Sequence, residues 1–89
     1  DVYKRQLLGH IKAKRFTDMR KWVATNIDND PVKLFRKIYD TLYDVLEPQS
    51  IPQAVIIIAD YSYKSAFVVD QEVNIVACLT ELMMECRWK

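Results

Sequence analysis

Glycine, proline and histidine are all scarce in this chain of 89 residues, which has one glycine, three prolines and one histidine. With Gly9 as the only glycine, a phosphate-binding loop built on repeated glycines cannot form. A zinc site would have to draw on His10, Cys78, Cys86 and scattered carboxylates, and without a second histidine neither cysteine has a convincing base partner. We therefore predict no cofactor, metal or catalytic residue in this chain and no enzymatic activity of its own.

Charge of one sign is not in excess either, because 13 basic residues face 12 acidic ones and leave a net charge of +1. This balance lacks the global positive field that draws proteins to nucleic-acid phosphates. The longest apolar run, Ala54 to Ala59, is far shorter than the ~18 residues of a membrane span, and no signal-peptide pattern opens the chain. We expect a cytoplasmic protein with no membrane partner.

Cysteine is limited to Cys78 and Cys86, which fall in one predicted helix. Their separation of eight residues places their Cα atoms about 12 Å apart, beyond the ~7 Å that a disulfide allows. Free thiols suit a reducing compartment, and a buried cysteine usually behaves as a small apolar side chain. We expect both cysteines to be free and buried.

What the chain does contain is apolar residues, 51% of the total, with few helix breakers. This composition predicts an all-α fold, a single compact bundle of about five helices joined by short turns. Residues 1–6 show no clear pattern, and we interpret them as a non-native or disordered leader. Because no initiator Met precedes them, we expect residues 7–89 to be the C-terminal domain of a longer protein.

Helix boundaries follow from caps and apolar spacing. The first helix is predicted from Leu7, with Phe16 as its last apolar residue, and a second is predicted after a Thr17 cap. The second helix buries residues spaced three and four apart, namely Met19, Trp22, Val23 and Ile27. Asp30 and Pro31 start a third helix, which should end near Glu47 because Pro48 disfavours helical geometry before it.

The fourth segment opens with Ser50-Ile51-Pro52-Gln53, which has the spacing of a capping box. The β-branched run Ala54 to Ala59 is also compatible with a buried strand, and periodicity alone does not separate the two. The upstream cap and the continuation to Lys64 favour a helix of about fifteen residues. Being apolar nearly all round, it should be buried on more than one side.

A last helix is predicted from an Asp70 cap to Trp88, near the end of the sequence. Its apolar residues occupy more than one stripe, and a surplus of exposed Leu, Met and Trp usually marks a partner surface. One face should pack inside the bundle and the other against a partner.

One basic cluster is present, formed by Lys12, Lys14, Arg15, Arg20 and Lys21. Its simplest interpretation is a solvated surface near a helix junction. The alternative is a DNA contact, which would make the chain a small helical DNA-binding module whose affinity falls steeply with salt.

Three segments in the second half of the chain resemble a known family. They are Glu47-Pro48-Gln49-Ser50-Ile51, Ala59-Asp60-Tyr61-Ser62-Tyr63-Lys64 and Glu85-Cys86-Arg87-Trp88-Lys89. In order and spacing they are similar to the C-terminal domain of sliding-clamp loader ATPase subunits, above all the small subunit of T-even-type phage clamp loaders and, more distantly, replication factor C small subunits. The likeness covers roughly Leu7 to Lys89. One departure is that Ser65 to Val69 lacks the glycine that often ends the corresponding helix in the more distant relatives.

The resemblance implies an oligomerisation (collar) domain that holds ATPase subunits in a ring for clamp loading in DNA replication. It places ATP and Mg in upstream AAA+ domains that this chain lacks, so the parent protein would be a DNA-dependent ATPase, in the host cytoplasm if phage-encoded. The implied partners are other clamp-loader subunits and, through the parent, the sliding clamp and primer-template DNA. We expect the subunit interface to consist of residues in the last two helical segments: Val55, Ile58, Tyr61, Tyr63, Val76, Leu79, Met83, Met84 and Trp88.

Overall fold

The fold is all-α, as predicted, in a computed structural model that describes residues 2–27 and 30–89, with side chains from residue 5 onward. Five α-helices and one 3₁₀ turn make up the described part: α1 (Val2–Lys12), α2 (Phe16–Asn26), α3 (Pro31–Val45), the 3₁₀ turn (Pro48–Ser50), α4 (Ile51–Lys64) and α5 (Gln71–Glu85). The helices form one bundle, with a radius of gyration of 11.9 Å.

Helix α5 lies at the centre of this bundle, where α1, α2 and α4 all pack against it, and α3 packs against α4. A largely apolar inner side makes this placement favourable, because each buried apolar side chain leaves water. The core residues contributed by α5 are Ile75, Cys78, Leu79, Leu82 and Met83. Helix α4 is buried along one side, through Ala54, Ile57 and Ile58, while Ile56 on its other side is 66% exposed.

Helix α1 begins earlier than predicted, because residues 2–6 are helical and continue directly into the amphipathic segment. The expectation of a disordered leader is therefore wrong for these residues, while Asp1 lies outside the described part. Whether the leader is native stays untested. Leu7 and Ile11 reach the core from this helix, at 1% and 0% exposure.

The α1–α2 turn differs from the predicted one. Thr17 is not a cap, because α2 begins at Phe16 after Arg15, and no side chain caps its first turn. Lys14 takes a left-handed backbone conformation, with φ 58°, and this residue turns the chain between the helices. As a result Phe16 belongs to α2 and is 44% exposed. The predicted inner face of α2 is confirmed by Met19 and Val23, which are fully buried.

Two of the predicted caps are present. Asp30 accepts from the Lys33 N–H at 3.3 Å, and Pro31 follows as the first residue of α3. Asp70 accepts from the Val73 N–H at 3.2 Å and starts α5. Residues 28 and 29, which precede this cap, lie outside the described part. Helix α3 ends at Val45, two residues before the predicted Glu47.

The junction between α4 and α5 works without a glycine because side chains and a tight turn satisfy its backbone groups. The Ser65 Oγ donates to the Ser62 carbonyl at 2.6 Å, and the Phe67 N–H donates to the Lys64 carbonyl at 2.8 Å. From α5, the buried Asn74 side chain donates to the Tyr61 carbonyl at 3.1 Å. No residue of this junction needs positive φ.

Residues 86–89 form an extended segment, which we call the C-terminal strap, and this overturns the prediction that the last helix runs to Trp88. Helix α5 ends at Glu85, and Trp88 then pairs with Leu46 in an isolated antiparallel bridge. The Glu47 N–H donates to the Arg87 carbonyl at 3.0 Å, and the Lys89 N–H donates to the Val45 carbonyl at 2.9 Å.

Ser50 anchors this strap and does not cap α4, so the predicted capping box is wrong. No side-chain cap is present at the start of α4. The Ser50 Oγ instead accepts from the Arg87 N–H at 2.8 Å, across 37 positions of sequence. Ser50 is 7% exposed, and its own backbone is already helical, so its hydroxyl serves a distant segment and not the next helical turn.

Replacing Ser50 with alanine should lower the free energy of unfolding by about 1–2 kcal/mol, because the half-buried Arg87 N–H loses its partner. Gln53→Ala is the matched control, with an expected change within about 0.5 kcal/mol, since Gln53 is not part of a cap. Urea denaturation measures both, and amide exchange should show faster exchange at Arg87 in Ser50→Ala alone. An equal decrease in the free energy of unfolding in the two variants would mean that Ser50 and Gln53 do form a capping box.

Candidate interaction surfaces

Some of the residues expected at a subunit interface are buried in the core, and the others are partly or mostly exposed. Ile58, Leu79 and Met83 lie in the core of this chain, with exposures of 5%, 0% and 5%. Leu79 and Met83 cannot present a side chain to a neighbour while the bundle is folded, and Ile58 has little surface left, so the place of these three residues in the predicted interface is corrected. Leu79 and Met83 are buried because α5 is packed against three other helices, and Ile58 lies on the inner side of α4.

Val55, Tyr61, Val76 and Trp88 are only partly buried. Trp88 packs against the core from the strap and donates its indole N–H to the Leu82 carbonyl at 3.3 Å. Tyr61 donates a long hydrogen bond, 3.5 Å, to the Glu81 carboxylate. Burial, together with the negative charge of Glu81, raises the pKa of the Tyr61 hydroxyl. Tyr61, Val76 and Trp88 pack against the core, and all four side chains keep some surface for a contact.

An outer stripe on α5 carries the exposed apolar surface that sequence analysis expected. Its members recur at helical spacing on the outer side of α5: Val73, Val76, Ala77, Thr80 and Met84. Val76, Ala77 and Thr80 are half-buried, and Val76 also touches the core. Val73 is 62% exposed and Met84 72%. Together with Phe16, Arg20, Glu72 and Glu81 they line an open groove of about 550 Å³, which we call the α2–α5 groove.

A second exposed apolar group lies at the α4–α5 junction. The Tyr63 and Phe67 rings are 5.1 Å apart and are 70% and 68% exposed, and Val69 is fully exposed. Of these three, only Tyr63 was expected at an interface. Phe67 and Val69 could also have been identified from the sequence, because large apolar residues are unusual in an exposed turn.

A second groove, the α3–α4 groove, has a volume of about 270 Å³. It is lined by residues of both helices: Val32, Phe35, Arg36, Tyr39, Val55, Ile58, Ala59 and Ser62. At its edge the Arg36 guanidinium lies 5.1 Å from the centre of the Tyr39 ring and pairs with Asp40 at 3.1 Å. The Tyr39 and Tyr43 hydroxyls are 3.1 Å apart, and this hydrogen bond raises the pKa of Tyr43. Arg36 is thus already neutralised.

The basic cluster lies in the first quarter of the sequence, around the turn that joins α1 to α2. Its five members, Lys12, Lys14, Arg15, Arg20 and Lys21, are all exposed at the end of α1, in the turn and on the first half of α2. Arg15 forms an ion pair with Asp18 at 3.7 Å, and Arg20 lines the α2–α5 groove beside Glu72.

The two cysteines are free and buried, as expected. Burial, aided by the negative charges of Glu81 and Asp60, raises the pKa of Cys78 to about 12, so its thiol stays protonated at neutral pH and is a poor nucleophile. Within residues 2–27 and 30–89, no group of three or more His, Cys, Asp and Glu is placed to hold a metal ion. None of the helices in the same residues has the length and apolar character needed to cross a bilayer.

No protein-family model matches the chain, and no curated protein matches it either. The resemblance to clamp-loader subunits therefore rests on the three quoted segments alone.

The division of the predicted interface into core and surface residues can be tested with two alanine variants. Leu79→Ala should lower the free energy of unfolding by about 2–5 kcal/mol, because it leaves a cavity in the core. Met84→Ala should change it by less than about 0.5 kcal/mol, because that side chain is mostly in water. Chemical denaturation at low protein concentration measures both. A large loss in Met84→Ala would mean that its outer position on α5 is wrong.

Burial of the Cys78 thiol should give a distinct pH dependence. Below pH 9, folded and unfolded chains both keep the proton, whereas between 9.0 and about 12 only the folded chain keeps it. The free energy of unfolding should therefore fall as pH rises through this window, by up to about 1.4 kcal/mol per pH unit. Denaturation from pH 8 upward measures it against Cys78→Ala, in which this component disappears. The same slope in both proteins would rule it out.

Proposed function

We propose that this chain is an oligomerisation module of a sliding-clamp loader, one that holds ATPase subunits in a ring during DNA replication. The observation that carries the proposal is the exposed apolar surface of the last two helices. Of the nine large apolar side chains that are exposed in the described part, six lie between Ile56 and Met84. Concentrated apolar exposure of this kind is typical of partner surfaces in a small domain.

The all-α bundle is compatible with the collar domain that the resemblance implies. The three segments that carry the resemblance correspond to the 3₁₀ turn with Ser50, the C-terminal end of α4, and the strap. In this proposal ATP and Mg bind only in upstream domains of a longer protein, and the sliding clamp and primer-template DNA are reached through those domains. This chain contributes contacts between subunits, without catalytic residues of its own.

Within this proposal, the α2–α5 groove and the α4–α5 junction form the subunit contact. The stripe from Val73 to Met84 extends over about 16 Å of helix, long enough for three turns of a partner helix. Its lining combines apolar side chains with three charged ones, Arg20, Glu72 and Glu81. An apolar centre with a charged border is the usual anatomy of a protein interface.

Val73 and Val32 offer a matched pair of variants for testing the contact. Both valines are 62% exposed and lie in the first turn of a helix, where glutamate is tolerated and favoured by the helix dipole. Val73→Glu should weaken self-association at least tenfold, because a charge would be buried in the contact, while Val32→Glu should change it less than twofold. Light scattering and sedimentation over a range of concentrations measure both.

The wider proposal needs the longer protein that carries the ATPase domains. Val73→Glu in that protein should disrupt ring assembly and clamp-dependent ATP hydrolysis, while nucleotide binding by each subunit is retained. If the longer protein assembled normally after residues 7–89 were removed, the oligomerisation function would be refuted. If both valine variants weakened assembly equally, the groove would not be the contact.

A further inference from the structure

The charges of this chain are segregated along the fold in a way that the net charge conceals. Residues 5–27 carry six basic residues and one acidic residue, whereas residues 30–89 carry six basic and nine acidic ones. The α1–α2 pair is therefore strongly positive, and the remainder of the domain is negative. A local excess of this size creates a potential that attracts polyanions even when the whole domain is nearly neutral.

Three lysines of the α1–α2 pair carry positive charge that no ion pair neutralises. Within the described residues, the side chains of Lys12, Lys14 and Lys21 are exposed and have no ion-pair partner. Arg15 and Arg20 are exposed beside them but lie near Asp18 and Glu72. Together these five residues form what we call the α1–α2 basic surface. Cations without local carboxylates are the ones that gain most from an external anion.

Lys14 occupies a backbone position that ordinarily favours glycine or asparagine. Its φ of 58° places it in the left-handed region, where a Cβ atom is sterically costly. Its N–H donates to the Ile11 carbonyl at 3.0 Å, and the next N–H, of Arg15, donates to the His10 carbonyl at 2.9 Å. Glycine would adopt this turn conformation with less strain. Lys14 therefore places a positive charge at the turn at some cost in backbone energy.

The remaining residues of this surface favour phosphate over a lipid bilayer. On α2 the side opposite Met19 and Val23 carries Thr17, Arg20, Lys21 and Ala24, none of which is a large apolar residue. Phe16 is exposed nearby but lines the α2–α5 groove, and one aromatic ring is less than the apolar face of a bilayer-binding helix. Arg15 and Lys21 are six positions apart, about 9 Å along the helix axis, so long side chains on this surface can span two or three successive phosphates. The Thr17 hydroxyl adds a neutral phosphate donor.

We propose that the α1–α2 basic surface binds the phosphate backbone of a nucleic acid, without sequence preference. This inference does not depend on the oligomerisation function, because Lys12, Lys14 and Lys21 are not among the residues that line the α2–α5 groove. Binding is electrostatic, and its affinity should lie in the non-specific range, a dissociation constant of about 10⁻⁴–10⁻⁶ M. With two or three phosphates neutralised, the logarithm of the affinity should fall with that of salt concentration with a slope of about −2 to −3.

The test is fluorescence anisotropy with a labelled DNA duplex of mixed sequence, titrated with the intact chain at several salt concentrations. Lys14→Glu combined with Lys21→Glu should weaken binding at least tenfold. Lys33→Glu combined with Lys37→Glu makes the same change in net charge on exposed positions of α3, and it should weaken binding less than threefold. Equal weakening by the two pairs would overturn the proposal, because binding would then follow net charge alone.

Lys14→Gly separates binding from folding. It should raise the thermal midpoint, since glycine adopts the left-handed conformation without a steric cost, and lower the affinity for DNA about two- to threefold through loss of one contact. Unchanged affinity would mean that Lys14 serves only the end of α1. Anionic phosphatidylserine vesicles are the second probe, and tighter binding to vesicles than to duplex would overturn the proposal. So would the absence of DNA binding at low salt.

Discussion

Burial of α5 on three sides is the constraint on which the rest of this fold depends. Because α1, α2 and α4 all pack against it, its inner side is mostly apolar, and Cys78 there is kept as a neutral thiol. The outer side of α5 stays at least partly in water. That side carries Val73 and Met84, so part of the exposed apolar surface of the domain follows from how its central helix is packed.

The end of α5 imposes a second requirement. The chain that follows the helix needs hydrogen-bond partners for its buried backbone groups. The strap meets this requirement by pairing with the segment between α3 and α4, and Ser50 provides the acceptor that the Arg87 N–H needs. Buried N–H groups are rarely left without a partner, since each costs about 1–3 kcal/mol. Residues distant in sequence are thereby joined at one end of the bundle, and Trp88 covers the join.

Short-range sequence patterns predicted the helices and two of their caps. They did not predict the contacts between residues that are far apart in the sequence. Asp30 and Asp70 were identified as caps because a cap depends on residues three positions away. Ser50 fitted the same pattern, yet its partner is Arg87, and no local spacing predicts a contact across 37 positions. For the same reason the expected interface included Leu79 and Met83: periodicity showed that α5 is apolar on two sides, but which side faces the core depends on how the other helices pack.

The two proposed surfaces meet at a single residue. Arg20 lines the α2–α5 groove beside Glu72 and also belongs to the α1–α2 basic surface, whereas Lys12, Lys14 and Lys21 do not line that groove. A neighbour docked in the groove would contact Arg20, whereas the three lysines are outside the groove lining. Repetition of the domain in an assembly would also repeat its basic surface, and several weak electrostatic contacts held together bind far more tightly than one. Assembly at α5 would thus amplify a binding surface that is weak in one copy.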